Sequence, residues 1–294
     1  MKQQSNSLNL QIAGYLIRIS SDSPIELESG YEPFITSKTA IADVNIDCHA
    51  GVPANPFHND QLVFEAKNEE QRFYSIYRTG TDLGFIIYNQ QDKDQIQQVA
   101  VLNETFSNWK VYSATQSNNK ILPLKYPLGP IIMHYLTLKG DAVMMHASCA
   151  FDGTKARIFT GFSGAGKSTM SKIWNNAGSL IINDDRLIIR KQEMGYMVYN
   201  TPMYYADQPK SALLSSIHLI SHSPENKTKK LSGATAVTRS MAFCIQNNFE
   251  KQFIQSRLQF FSELCLQIPV YDLGFVPDQS VINFIIANET GETK

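Results

Sequence analysis

The sequence predicts a chain of two parts, a β-rich front half followed by an α/β half, and three observations carry that expectation. From residue 8 to about 117, short runs rich in β-branched and aromatic residues (LQIAGYLIRIS, TAIADVNIDC, QLVFEAK, RFYSIYR, LGFIIYN, QVAVLN, WKVYSA) are separated by polar and turn residues, which is the pattern of an antiparallel, strand-rich domain. From Asp141 onward, apolar strand-like runs alternate with segments of helical periodicity, the pattern of a sheet covered by helices. Between one such strand and one such helix stands Gly161-Phe162-Ser163-Gly164-Ala165-Gly166-Lys167-Ser168, a complete match to GxxxxGK[ST].

The length of 294 residues exceeds the usual single-domain size, and 43% hydrophobic content supports a sizeable core. The expected domains are residues 1–126, β-rich, and residues 127–294, α/β, with a helical bridge over 127–140. That bridge, PLGPIIMHYLTLK, starts after Pro127, carries Ile131, Ile132, Tyr135, Leu136 and Leu138 mostly on one side, and is closed by Gly140. A net charge of -1 with 18% charged residues argues against a polyanion-binding surface, so no nucleic-acid partner is expected. Neither an apolar leader nor a stretch of 18 apolar residues occurs, so the expected location is cytoplasmic, with no membrane contact. Cys48, Cys149, Cys244 and Cys265 form no CxxC pair and read as inert thiols. In the front half, His49 and His58 lack a ligand pattern, and Asp43 and Asp47 read as solvent-facing or turn residues. The sequence leaves the oligomeric state open.

The glycine motif states its own chemistry. Gly161, Gly164 and Gly166 let successive backbone N–H groups, with those of Ser163, Ala165, Ser168 and Thr169, turn toward phosphate oxygens; Lys167 adds a mobile positive charge, and the Ser168 hydroxyl ligates magnesium. The helix that follows adds its positive N-terminal end. Its apolar stripe is Met170, Ile173, Trp174 and Ala177, and Gly178 ends it. On that stripe Trp174 reads as core, not as a base-stacking platform. The expected ligands are therefore ATP and Mg2+.

Two further features flank the loop. Val143 to Phe151 and Ala156 to Thr160 are β runs joined by Asp152-Gly153-Thr154-Lys155, a hairpin signal. Pairing of Phe151 with Thr154 puts His146 opposite Phe159, and a looser turn puts it opposite Gly161; both place it beside the phosphate loop, where it can pair with a phosphate, touch the metal or polarise a carboxylate. Leu180-Ile181-Ile182-Asn183-Asp184-Asp185 is an apolar strand ending in two carboxylates, which suits magnesium holding by one acid and proton acceptance by the other. Our assignment gives Asp185, with Ser168, to the metal and Asp184 to the acceptor hydroxyl. Arg186 either contacts a phosphate or neutralises an aspartate, and Lys227, Lys229 and Lys230 read as a solvated loop.

Taken together, MMHASCAFDGTKARIFTGFSGAGKST and SLIINDDRLIIR resemble the catalytic domain of HPr kinase/phosphorylase and, more distantly, ATP-dependent phosphoenolpyruvate carboxykinase, over roughly residues 141 to 205. The resemblance implies a P-loop nucleotide-binding domain of the HPr kinase/phosphoenolpyruvate carboxykinase type behind a β-rich N-terminal domain. It implies a site of His146, Lys167, Ser168, Asp184 and Asp185. The β-rich front, the YPLGPIIM helix and the late IPVYDLGFVPD segment are closer to HPr-kinase-like proteins and to the peptide kinases of lasso-peptide pathways, which imply a serine hydroxyl acceptor in a peptide or protein. The RGxGI-type segment of HPr kinases and the basic oxaloacetate site of the carboxykinases are both missing from the sequence, so the acceptor is an unknown peptide, protein or small-molecule hydroxyl. The expected activity is a kinase; the alternative is a nucleotide-dependent binding or assembly protein without efficient catalysis. Lys167→Ala is expected to abolish most nucleotide-dependent activity while leaving the fold intact, since the loop lysine acts through charge. Equal ATP affinity and turnover in mutant and wild type, by calorimetry and steady-state assay, would contradict it.

Overall fold

The computed structural model describes residues 6–69, 71–92, 95–115, 119–139, 141–245 and 251–290. The chain divides into two compact units: Met1–Lys139 with Pro202–Gln208, and Gly140–Thr201 with Pro209–Lys294.

The first unit contains β1 (Ser7–Ile12), β2 (Tyr15–Ser21), β3 (Ile35–Thr36), β4 (Val44–Ala50), β5 (Gln61–Asn68), β6 (Gln71–Thr79), β7 (Asp82–Tyr88), β8 (Ile96–Leu102), β9 (Asn108–Ser113) and helix α1 (Leu128–Thr137). Its sheet runs β3-β1-β2-β4-β9-β8-β7-β6-β5. The expected single run LQIAGYLIRIS is a hairpin: Ala13 and Gly14 turn with φ of 50° and 79°, and Ile12 faces Tyr15. The expectation of a purely antiparallel sheet also needs correcting, because β2–β4 and β4–β9 are parallel. The β5–β8 meander comes between β4 and β9 in sequence and is displaced to one side of the sheet, so β4 and β9 meet in the same direction. Helix α1 is grouped with this unit and not with the second, as the sequence suggested. Its Tyr135 meets Phe85 and Trp109 edge-on, with ring centres 5.2 and 5.8 Å apart, and all three side chains are buried. The periodicity of α1 specified an apolar face, but not which apolar surface it would cover. Gly140, the expected closing residue, lies outside the described residues.

The second unit contains β10 (Ala142–Phe151), β11 (Ala156–Thr160), α2 (Lys167–Asn176), β12 (Leu180–Asn183), β13 (Arg186–Gln192), β14 (Gly195–Asn200), β15 (Ser211–His222), β16 (Lys227–Leu231), α3 (Gly233–Met241), α4 (Lys251–Gln267), β17 (Val270–Phe275) and α5 (Ser280–Thr290). Two long strands belong to two sheets at once. The first part of β10 pairs with β13 and its last part with β11 and β12. Likewise β15 leaves β14 and continues between β11 and β17, parallel to both. The three parallel strands carry packed side chains on both faces, as expected of parallel strands covered by helices. On one side Met170, Trp174, Val281 and Ile285 of α2 and α5 pack with Phe159, Ile220 and Phe275. On the other, Ala236, Phe261 and Leu264 of α3 and α4 pack with Ile158, Leu219 and Val270. Lys227, Lys229 and Lys230 are not in a loop: they lie on the sheet-edge strand β16, where exposed lysines also discourage pairing with other chains.

A buried ionic cluster ties α5 to the β10–β11 hairpin. Arg157, 2% exposed, donates through Nε and Nη2 to the two carboxylate oxygens of Glu289 at 2.9 and 2.7 Å, and through Nη1 to Asp152 at 2.6 Å. Its guanidinium carbon lies 5.0 Å from the Trp174 ring centre. Burial would raise both carboxyls, but the N–H groups of Lys155 and Thr154 and the Arg157 guanidinium hold Asp152 well below the usual range. Arg157 and Lys155 likewise hold Glu289 below its ordinary value. Such depressed groups stabilise the fold above the ordinary carboxylate pKa, and that stability is lost as pH falls through the lowered values. Removing one partner of a buried pair strands the others, so Arg157→Met is expected to cost about 3–5 kcal/mol. Urea unfolding over roughly pH 3 to 7 checks this: the wild type should lose stability toward acid more steeply than the variant.

Candidate functional site

The site forms where β10 passes from one sheet to the other. His146 faces Arg186 of β13, and the next residue, Ala147, faces Thr160 of β11. Phe151 pairs with Ala156, not Thr154, so the looser hairpin is realised and its register runs His146 toward Gly161. Along β10, His146 is the one exposed residue among buried neighbours. Its N–H donates to the Phe243 carbonyl at 3.1 Å, its carbonyl accepts the Thr160 hydroxyl at 2.9 Å, and the Ala147 N–H donates to the Asp185 carbonyl at 3.0 Å.

Residues 161–166 join β11 to α2. Close approach makes glycine necessary at both ends of this turn. A Cβ on Gly161 would lie 2.7 Å from the Ile220 carbonyl oxygen, and one on Gly166, whose φ is 98°, would lie 2.7 Å from the Phe275 ring. The Ala165 N–H closes a turn on the Phe162 carbonyl at 3.0 Å. Gly166 caps α2 without a side-chain acceptor, so the first N–H groups of the helix point outward unsatisfied by the helix itself. Ser163, Gly164 and Ser168 lie on the exposed rim, with Thr169 half-buried behind them. Lys167 is buried; its Nζ donates to the carbonyls of Gly161 at 2.9 Å and Phe162 at 3.3 Å. Burial lowers its pKa, opposed by the charge of Asp185.

The aspartates leave β12 in a turn that Asn183 organises: its Oδ1 accepts the N–H groups of Asp184 at 2.7 Å and Asp185 at 3.1 Å. This turn answers the geometric problem of two adjacent acids on a strand. Asp185 receives His146 Nδ1 at 3.2 Å on one oxygen and Arg186 Nε at 3.0 Å on the other. The hydrogen bond from His146, outweighing burial and assisted by Arg186, holds the carboxyl below its usual range. Asp184 is exposed, and its carboxylate has no ion-pair partner among the described residues.

His146, Asp185 and Arg186 are thus in direct contact, Lys167 is within electrostatic reach of Asp185, and Asp184 stands alongside. Ser168 makes no hydrogen bond to either acid among the described residues. Arg186 neutralises an aspartate, one of its two expected roles. Among the described residues no trio of His, Cys, Asp and Glu could hold a metal alone. Oxygen donors from Ser168 and Asp185 nevertheless suit magnesium, which typically takes one or two protein oxygens and completes its shell with phosphate and water. Sequence reasoning missed the positioning roles of Asn183, Thr160 and Ser148, whose hydroxyl donates to the Lys167 carbonyl at 3.3 Å. The Asn-Asp-Asp run was a legible turn signal; the other two depend on strand pairing.

Residues 131–204 match the family model of phosphoenolpyruvate carboxykinase. Among solved structures, the chain is similar to the Hpr(Ser) kinase/phosphatase from Coxiella burnetii at 10% identity and a TM-score of 0.29, covering 51% of this chain and 97% of that one. No curated protein matches the chain. The matched segment, about a quarter of the chain, holds the glycine motif, His146 and both aspartates.

Proposed function

We propose that the second unit is a P-loop kinase domain that binds ATP with magnesium and transfers the terminal phosphoryl group to a hydroxyl, such as a serine of a peptide or protein. The family model matched over residues 131–204 supports ATP-dependent phosphoryl transfer in general. The observation that carries the finer reading is the His146–Asp185–Arg186 cluster set beside a free Asp184 at the glycine loop. A binding protein needs the loop but has no use for two differently prepared acids.

In this reading the loop N–H groups and Lys167 grip the phosphates, with Lys167 exchanging its carbonyl partners for phosphate oxygens. Ser168 and Asp185 would hold the metal, which neutralises phosphate charge when bound. His146 and Arg186 keep Asp185 ionised and fix its orientation. Asp184 accepts the acceptor proton as the new O–P bond forms and the bond from the terminal phosphorus to the bridging oxygen breaks, leaving ADP.

Two variants test the division of labour. Asp184→Asn should lower transfer by roughly 10² to 10⁴-fold, the usual cost of losing a proton acceptor, while ATP affinity stays near wild type. Asp185→Asn should weaken magnesium-dependent ATP binding as well as transfer. Calorimetry reads the first quantity, and radiolabel transfer from ATP to candidate peptides or cell extract reads the second. If the wild type labels acceptors and both variants match it, the acids are a surface turn; if ATP binds and nothing is labelled, the assembly-protein reading takes over.

A further inference from the structure

His222 ends β15, beside the carboxyl end of β11 and directly opposite Phe275, the last residue of β17. Ligands of parallel α/β sheets bind at this end of the strands. The imidazole stacks on the Phe275 ring, with centres 5.3 Å apart and planes 29° apart, and the residue is exposed. Its position against the loop is tight. A Cβ on Gly166 would lie 3.2 Å from His222 Cε1 and 2.7 Å from the Phe275 ring, so the Cε1 edge of the imidazole faces the residue that caps α2. That edge carries a ring nitrogen on each side of Cε1. No hydrogen bond joins the ring to another residue among those described. Phe275 is fully buried, so the stack fixes the ring plane without using its polar edge.

We propose that His222 is a further nucleotide-contacting residue, a hydrogen-bond donor to the polyphosphate held at the head of α2. The inference rests on the phosphate-site reading of the loop and adds to it a contact from outside residues 131–204 and from a different strand. A neutral imidazole suffices, since one ring nitrogen always carries a hydrogen. Stacking on Phe275 restricts the rotamers, so little side-chain entropy is lost on binding. The same stack leaves Gly166 no room for a side chain and holds the exposed imidazole beside the residue that caps α2.

The experiment measures magnesium-ATP and magnesium-tripolyphosphate binding by calorimetry for wild type, His222→Gln and His222→Phe, with melting temperatures to confirm folding. Tripolyphosphate carries the phosphates without base or sugar. His222→Phe keeps an aromatic ring on Phe275 but has no donor, and should weaken both ligands about tenfold, the size of one charge-assisted hydrogen bond. His222→Gln, which keeps a donor, should recover most of that loss. Folded His222→Phe binding both ligands like wild type overturns the inference and leaves the phosphate site standing. Weakened ATP binding with unchanged tripolyphosphate binding also overturns it, in favour of a nucleoside-stacking role. A wild type that binds neither ligand refutes the phosphate site, and this inference with it.

Discussion

The hydrogen bonds around His146 and Ala147 hold the candidate site together. At this point β10 changes partners, and its backbone groups are shared out among three segments distant in sequence. The Phe243 carbonyl takes one N–H, the Asp185 carbonyl takes the next, and the Thr160 hydroxyl fastens the intervening carbonyl. A strand interior normally spends these groups on one neighbour per side. Here the change of partner leaves the His146 side chain exposed in an otherwise buried strand, aimed at the turn that follows β12. The glycine loop follows β11, which is paired to the same part of β10. Loop, histidine and aspartates therefore keep their spacing through main-chain bonds, the stiffest connections the fold offers.

Charge is distributed unevenly across that frame. Asp185 is committed, with an imidazole on one oxygen and a guanidinium on the other. Asp184 is exposed and uncommitted. Lys167 has its ammonium on loop carbonyls, where burial weakens its hold on the proton and Asp185 strengthens it. Carbonyl dipoles are poorer partners for an ammonium than phosphate anions, so the arrangement favours exchange when an anion arrives. Two carboxylates adjacent in sequence have thereby acquired different environments, the usual physical route by which similar groups take different roles.

The structure behind the site is correspondingly rigid. Trp174, on the buried side of α2, lies under the Arg157 guanidinium and near Phe159. Arg157 in turn is locked to Glu289 of α5 and to the turn carboxylate of Asp152. Helix α2, whose N-terminus carries the loop, is thus braced from below by a charged cluster and not by apolar packing alone. His218 lies in the same region, stacked between Phe159 and Tyr271, and burial pushes its pKa down to about 3, so it contributes as a neutral packing and hydrogen-bonding group beside Ser216.

Local sequence determined what depends on local geometry. The glycine spacing, the stripe Met170–Ile173–Trp174 and the Asn-Asp-Asp turn each specify a conformation through residues within a few positions of one another, and Trp174 is buried as its place on that stripe implied. The β segments of the front half were legible for the same reason, although the Ala13-Gly14 turn was hidden inside an apolar run. Strand order was not legible, because pairing of β4 with β2 and β9 depends on which edges remain free after the meander forms, a question of long-range competition. The assignment of α1 turned on Tyr135 finding Phe85 and Trp109, an aromatic surface assembled only from separate strands. The pairing of Asp185 with His146 and the stacking of His222 beside Gly166 were likewise decided by tertiary structure alone. Each joins residues brought together by strands that are neighbours in space and remote in sequence, and no short-range propensity carries that information.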